Sequence, residues 1–287
     1  MELSEIYSNL KYSNGNIKIS FEVFPPKNGD ISKLFEELRT LKKYNPALVS
    51  LTFGASGNSN RFTFEDLKCI RDLDLTLMPH FTCISMNKRN IENYITSIEN
   101  LGIENILALR GDIPEGVDIN NIDFKYANEL VEFIESKTTL SIGVAGYPEG
   151  HIESPSLADD IKYLKQKVDA GASAIFTQLF YDNNKFYEYV KTVRSAGINL
   201  PIIAGIMPIR SIEQIKKMTG MARISLPKKL TDLLEKYPED IKKAGLDYVT
   251  EQCLELVNNN VDGLHFYTLN HSDIVSQILD NIMKVTA

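Results

Sequence analysis

Short apolar runs alternate along the chain with stretches whose apolar residues recur every three or four positions. Runs at 17–23, 47–53, 75–83, 103–109, 140–147, 172–180, 200–207 and 263–269 read as strands buried on both faces, the kind that parallel sheets contain. Between them, Leu34, Leu38 and Leu41 stand at helical spacing, and 63–73, 87–101 and 124–136 continue the pattern. Ser154-Pro155 reads as an N-cap with proline at the first helical position, ahead of Leu157, Ile161, Leu164 and Val168. Phe186, Tyr189, Val190 and Val193 mark a further helix, and 273–285 closes the chain as another. The connection at about 208–262 is longer than the rest and holds two or three helical stretches.

Strand–helix alternation with short connections implies parallel strands and helical crossovers. Eight such units close a barrel, whose usual size is about 250 residues. The rival is a doubly wound open sheet, which would carry Gly-x-Gly-x-x-Gly after its first strand if it held a dinucleotide. That position reads Phe24-Pro25-Pro26-Lys27. The expectation is therefore an α/β chain folded as one (β/α)8 TIM barrel, a single domain over 1–287.

Composition narrows the function classes. With 43% hydrophobic and 24% charged residues, the chain has the makeup of a soluble globular protein with a substantial core. The net charge of -7, without a basic cluster, argues against nucleic-acid binding. No apolar stretch is long enough for a membrane span, no signal peptide is visible, and Cys69, Cys83 and Cys253 show no disulfide or metal spacing, so a cytoplasmic location is expected.

In such a barrel the reactive groups lie at the C-terminal ends of the strands. Those ends here offer Glu22, Thr52, His80, Arg110 with Asp112, Tyr147 with Glu149, Gln178 and Tyr267. Taken singly, Glu22 fits a solvated carboxylate, His80 a satisfied core histidine and Arg110-Gly111-Asp112 a surface turn. Their recurrence at strand after strand is what points to a site, because inward positions of a barrel otherwise fill with apolar layers. Prolines 25, 26, 79, 114, 148 and 208 stiffen the same ends, which suits walls that clamp a flat ligand.

What is missing also decides. There is no His-x-His on the first strand and no His-Glu-x-x-His, so no metal is expected. No lysine falls in strands four to eight to act as a Schiff-base nucleophile, and no Gly-x-Ser-x-Gly elbow occurs. Glu22 and Glu149 form a carboxylate pair of the type that cleaves glycosides, but the chain has no tryptophan for a sugar platform.

The motifs Phe21-Glu-Val-Phe-Pro-Pro26, Pro79-His-Phe-Thr-Cys83, Ala108-Leu-Arg-Gly-Asp-Ile-Pro114 and Tyr147-Pro-Glu-Gly-His151 resemble those of the bacterial methylenetetrahydrofolate reductases. So do Lys167-Val-Asp-Ala-Gly-Ala172, Thr177-Gln-Leu-Phe-Tyr-Asp182 and His265-Phe-Tyr-Thr-Leu-Asn270, in the same order along nearly the whole chain. The resemblance implies a single (β/α)8 barrel that binds FAD and reduces 5,10-methylenetetrahydrofolate to 5-methyltetrahydrofolate in one-carbon metabolism and methionine biosynthesis. It implies NADH or NADPH as donor, or a partner electron-transfer subunit, and a homo- or hetero-oligomer. By motif position it implies that Glu22 is the general acid and that Asp112 lies beside flavin and pterin, stabilising an iminium. Thr52, His80, Arg110, Gly111, Asp112, Ala127, Tyr147, His151, Asp160 and Lys167 are the implied FAD contacts. Gln178, Phe186 and Tyr267 are the implied folate contacts.

Burial among Phe21, Val23, Phe24 and Pro25 leads to the expectation that Glu22 keeps a proton near neutral pH. Departures from the family pattern are His271, where an arginine commonly follows the Tyr-Thr-Leu-Asn run, and Met218, where a phenylalanine helps hold the nicotinamide. Tyr163 and Gln166 also differ from the expected residues of the FAD helix. Two other readings stand beside this one: a different FAD barrel of the proline dehydrogenase type, and a cofactor-binding subunit without turnover, against which the intact Glu22 and Asp112 argue.

Overall fold

The computed structural model describes residues 1–8, 17–26, 29–52, 62–84, 86–113 and 122–286. In chain order the elements are α1 (Leu3–Ser8), β1 (Ile19–Val23), α2 (Ser32–Lys42), β2 (Leu48–Leu51), α3 (Phe64–Arg71), β3 (Leu77–Thr82), α4 (Lys88–Asn100) and β4 (Asn105–Leu109). They continue with α5 (Ala127–Glu135), β5 (Ser141–Gly146), α6 (Leu157–Asp169), β6 (Ala174–Leu179), α7 (Asn183–Ser195) and β7 (Ile202–Ile206). Then come α8 (Ile212–Ala222), α9 (Lys228–Lys236), a 3-10 turn (Pro238–Asp240), α10 (Ile241–Asn258), β8 (Leu264–Tyr267) and α11 (Ser272–Thr286).

The strands close a barrel in sequence order, β1 through β8, with every adjacent pair parallel. This is the expected (β/α)8 architecture, and the long connection between β7 and β8 carries α8, α9 and α10. Among the described residues no helix is long and apolar enough to cross a membrane.

Helix α6 is capped by Ser156, whose side chain accepts from Asp159 N, and not by Ser154; the Ser154 hydroxyl is spent on Asp160 instead. Helix α1 was not foreseen, because six residues with apolar groups only at Leu3, Ile6 and Tyr7 carry too little periodicity to stand out. The expected strand residue Phe53, the loop at 54–59, Lys27 and Pro114 lie outside the described residues.

Helix α1 has a clear packing role. Leu3, Ile6 and Tyr7 are buried against Leu48, Met78, Leu107, Ala174, Phe176 and Ile203, which closes the N-terminal end of the barrel interior with apolar side chains. The opposite faces of the strands meet the helices in a second, larger cluster that includes Phe21, Val49, Ile106 and Ile142. Above the apolar floor the interior turns polar. Ser20, Glu22, Ser50, His80 and His265 are all buried there.

That polar layer needs room. Gly205 on β7 donates its N–H to Thr177 Oγ1 at 2.9 Å, and the Tyr267 hydroxyl donates to Thr177 O at 2.7 Å across the same spot. A Cβ at Gly205 would run into Thr177 O and lie 2.9 Å from Tyr267 Cε2. Backbone cannot yield as a flexible side chain can, so Gly205→Ala is expected to destabilise the barrel by about 1–3 kcal/mol, read as a lower urea midpoint at unchanged m-value.

Candidate active site

Two cavities adjoin at the C-terminal end of the barrel. One, of about 260 Å³, is lined by Glu22, His80, Gln178, Met207, Met218 and Tyr267 among others. The other, of about 370 Å³, is lined by Arg110, Ala127, Tyr147, His151, Asp160 and Lys167 among others. Leu109, Ala145 and Tyr147 border both. Residues from β1, β3, β4, β5, β6, β8 and α6 thus converge on one mouth, as the sequence pattern implies.

Glu22 lies on β1 at 7% exposure. Its Oε2 is 3.5 Å from His80 Nε2 and 4.0 Å from His265 Nε2, and its Oε1 accepts from Thr52 Oγ1 at 3.3 Å. Burial pushes this carboxyl up, but the two imidazoles and the threonine hydroxyl outweigh it and hold Glu22 below the usual carboxylate range. The expectation that burial alone keeps Glu22 protonated is therefore overturned for the ligand-free protein. Local sequence showed the apolar neighbours and not the histidines that β3 and β8 bring in. Burial also pushes His80 below the ordinary histidine value, against the opposing pull of Glu22.

The second cavity is electrostatically different. Arg110 donates from both terminal nitrogens to Glu153, at 2.5 and 2.9 Å, a bidentate pair at the cavity edge. That contact holds Glu153 below its ordinary range. Lys167, one face of α6, donates to Ala145 O at 2.6 Å and stands 5.8 Å from the Tyr147 ring centroid. Burial lowers its pKa to about 8, with Asp160 pulling the other way. Asp160 is itself raised by burial, although it accepts from the Ser154 hydroxyl. His151 packs edge-on to Tyr147 at 4.7 Å and is lowered by burial.

Gly111 sits between Arg110 and Asp112 with φ +85, a conformation that only glycine adopts without strain, and a Cβ there would lie 3.1 Å from Thr82 Cβ and Ile84 Cγ2. Asp112 follows it on the exposed rim, near enough to Arg110 and Tyr147 to act on both electrostatically. Gln178 accepts from Leu179 N through its Oε1 and so presents its amide end to the mouth.

Phe186 and Glu149 stand off the cavity walls, and Tyr267 lines the mouth with its hydroxyl already engaged. Phe186 on α7 is 3% exposed and stacks on Phe180 at 4.9 Å, inside the strand–helix core and off both cavity walls. Tyr267 lines the mouth, but its hydroxyl is committed to Thr177 O. Glu149 does not face Glu22 as a paired carboxylate; it accepts from Ser225 N and Ser225 Oγ at 3.0 and 2.6 Å, tying the β5–α6 loop to the α8–α9 connection.

Ser50, His265 and Glu153 were not singled out from sequence. A signal for the first two was present: Ser20 and Glu22, Ser50 and Thr52, His265 and Tyr267 are each two apart on a strand, so each pair shares the inward face. Nothing local announces Glu153, which reaches Arg110 from a different loop.

The chain matches the family model described as methylenetetrahydrofolate reductase over residues 7–283. It is 35% identical over 278 residues to the 5,10-methylenetetrahydrofolate reductase of Buchnera aphidicola subsp. Schizaphis graminum, covering 95% of this chain and 94% of that one. Against the Escherichia coli 5,10-methylenetetrahydrofolate reductase the figures are 33% over 265 residues, 91% and 88%. The methylenetetrahydrofolate reductase (NADH) 1 of Arabidopsis thaliana is 38% identical over 287 residues, 93% of this chain but 48% of that protein. The chain thus spans about half the length of its plant relatives and most of the bacterial ones. Among solved structures, an uncharacterized Clostridium thermocellum protein that binds two copies of 5-methyl-5,6,7,8-tetrahydrofolic acid superposes with a TM-score of 0.64 at 12% identity over 99% of each chain, a likeness of fold alone.

Proposed function

The chain belongs to the methylenetetrahydrofolate reductase family, and from that premise we propose that it reduces 5,10-methylenetetrahydrofolate to 5-methyltetrahydrofolate with FAD as bound cofactor and NADH or NADPH as donor. The observation that carries the reading is the pair of adjoining cavities, one with a buried carboxylate over two imidazoles, the other with a guanidinium and a buried ammonium. A proline dehydrogenase-like barrel is not favoured by the family match.

The residues fit FAD. Arg110 already holds an anion, the Glu153 carboxylate, so its fork is aimed and spaced for a phosphate that takes Glu153's place. Lys167 offers the second cation, and Tyr147, Ala127 and His151 supply flat or small wall groups. Bound there, FAD supplies the hydride carrier between the donor and the folate carbon.

The protein's own part is acid–base and electrostatic. Glu22 delivers a proton to the amine nitrogen that leaves when the methylene bridge opens. In the ligand-free protein the histidines hold Glu22 ionised, and covering the mouth with cofactor and folate removes solvent, which favours the neutral acid. Opening the bridge leaves a cationic iminium on the substrate, and the Asp112 carboxylate at the rim stabilises it. The free amide end of Gln178 binds the pterin edge. Phe186 reaches the folate only after leaving Phe180, so its part is to back the wall rather than to touch substrate in the described arrangement.

The test is direct. Purified protein incubated with FAD is expected to acquire flavin absorbance that survives gel filtration; protein that stays colourless would remove the reading. Lys167→Ala is expected to weaken FAD binding by roughly 10- to 100-fold, the equivalent of a charge-assisted contact of about 1.5–3 kcal/mol. The same ammonium loses its charge as pH rises through about 8, so wild-type affinity for FAD should fall across that range. In Lys167→Ala that dependence should be absent, and a pH-independent wild-type dissociation constant would show that Lys167 does not meet the pyrophosphate.

A further inference from the structure

The loops that follow β7 and β8 carry a guanidinium that the fold leaves without a partner, next to the cavity that holds Glu22. Arg210 follows Met207 along one loop and His271 follows Leu269 along the other, and Met207 and Leu269 both line that cavity. Both loops are pinned. Arg210 N donates to Gln214 Oε1 at 2.8 Å, and Gln214 Nε2 donates to Pro208 O at 2.9 Å. Asn270 ties the other loop to the end of β1, accepting from Phe24 N and donating to Phe24 O, each at 2.8 Å. His271 N donates to Thr268 O at 3.0 Å. Leu269 lies in the left-handed region at φ +50, uncommon for leucine, and such a conformation persists only where its surroundings hold it.

The Arg210 side chain itself is not spent on any of this. It makes no hydrogen bond or ion pair with a described residue, and its Nε is buried with nothing to donate to. A buried charged donor without an acceptor is costly, and an anion relieves that cost. The neighbouring charges are mixed. Burial, then Arg210, lower His271 below the ordinary histidine value, Lys33 on α2 acts in the same sense, and Asp273 and Glu37 oppose them. Glu37 already accepts from Ser272 N at 2.7 Å, and Asp273 stands exposed in the first turn of α11.

We propose that Arg210 is a substrate-specificity residue whose guanidinium, with His271 beside it, binds a carboxylate of the glutamate that folates carry at the end opposite the pterin. This rests on the reading of the Glu22 cavity as the folate site. With the pterin at Glu22 and Gln178, the aryl ring of the substrate meets the apolar side chains Met207, Met218 and Leu269. The loops beyond those side chains bring Arg210 and His271. A guanidinium takes a carboxylate through two parallel N–H groups, and a neutral imidazole adds one more donor. The phosphates of a dinucleotide donor are the rival anion for the same group.

Equilibrium binding of 5-methyltetrahydrofolate and of 5-methyltetrahydropteroate, which lacks the glutamate, to FAD-loaded protein tests this. Wild type is expected to prefer the folate by roughly 10-fold, the low end for a charge-assisted contact because the site is half-exposed, and the preference should shrink as salt rises. Arg210→Ala should lose the preference and bind the pteroate as wild type does. Arg210→Lys, which keeps the charge without the fork, should retain part of it. Equal binding of the two compounds by wild type would overturn the proposal, as would equal weakening of both by Arg210→Ala, the mark of a structural role. A raised KM for NADH or NADPH in Arg210→Ala with unchanged folate binding would assign the guanidinium to the donor's phosphates instead. Wild type that binds neither compound would strike the functional reading and this inference with it, whereas folate turnover without a preference for the glutamate would strike this inference alone.

Discussion

Glu22→Gln is expected to fold, to bind FAD, to accept electrons from its donor, and to form methyltetrahydrofolate about 10²-fold or more slowly than wild type, the usual scale for a lost general acid. Glutamine keeps the size of the side chain and can still accept from Thr52, so the barrel should survive the change. What it removes is the transferable proton. In the proposed reaction that proton is needed once per turnover, when the methylene bridge opens, and is not needed when a nicotinamide delivers electrons. The selectivity of the defect is therefore the diagnostic part. If Glu22 only positioned substrate, the variant would show a raised KM with near-normal kcat. Equal slowing of both halves of the reaction would point to a disturbed mouth, which the loss of the His80 and His265 contacts could produce.

Asp112→Asn should lose the folate step by about 10²-fold, the scale for removing one preorganised electrostatic partner of a developing charge. Asparagine keeps the shape and removes the negative charge. The residue is exposed in the ligand-free protein, where water screens it, so the size of the effect depends on the substrate covering the rim. The charge matters only once the cation exists, so electron uptake from the donor should change little. Stopped-flow rates for the two steps, measured separately, check this. Comparable losses in both would mean that Asp112 supports the Arg110-Gly111 turn rather than the iminium.

The barrel was legible because its signal is repeated: eight apolar runs, each followed by helical spacing, leave few other topologies. Most of the mouth was legible for the same reason, since strand ends in a barrel converge whatever their separation in sequence. Glu22 and His80, 58 residues apart by number, both fall on inward strand positions near the mouth and so meet there. What failed was anything set by which side chain meets which. The proton affinity of Glu22 follows from His80 and His265 reaching it across the interior, and neighbours in sequence say nothing of that. Phe186 stacks on Phe180 in the core, a contact that helical spacing alone does not reveal. Glu153 on Arg110 and Ser225 on Glu149 are loop-to-loop pairs, and loop pairs leave no periodic trace. Helix α1 was too short for its pattern to register, though it closes the floor of the barrel.

The central claim is that this barrel carries out the folate step. The measurement closest to it is anaerobic mixing of FAD-loaded, photoreduced protein with 5,10-methylenetetrahydrofolate, following flavin absorbance and quantifying the folate product. The account predicts reoxidation of the flavin with one 5-methyltetrahydrofolate formed per flavin. Flavin that stays reduced in the presence of excess methylenetetrahydrofolate would contradict it.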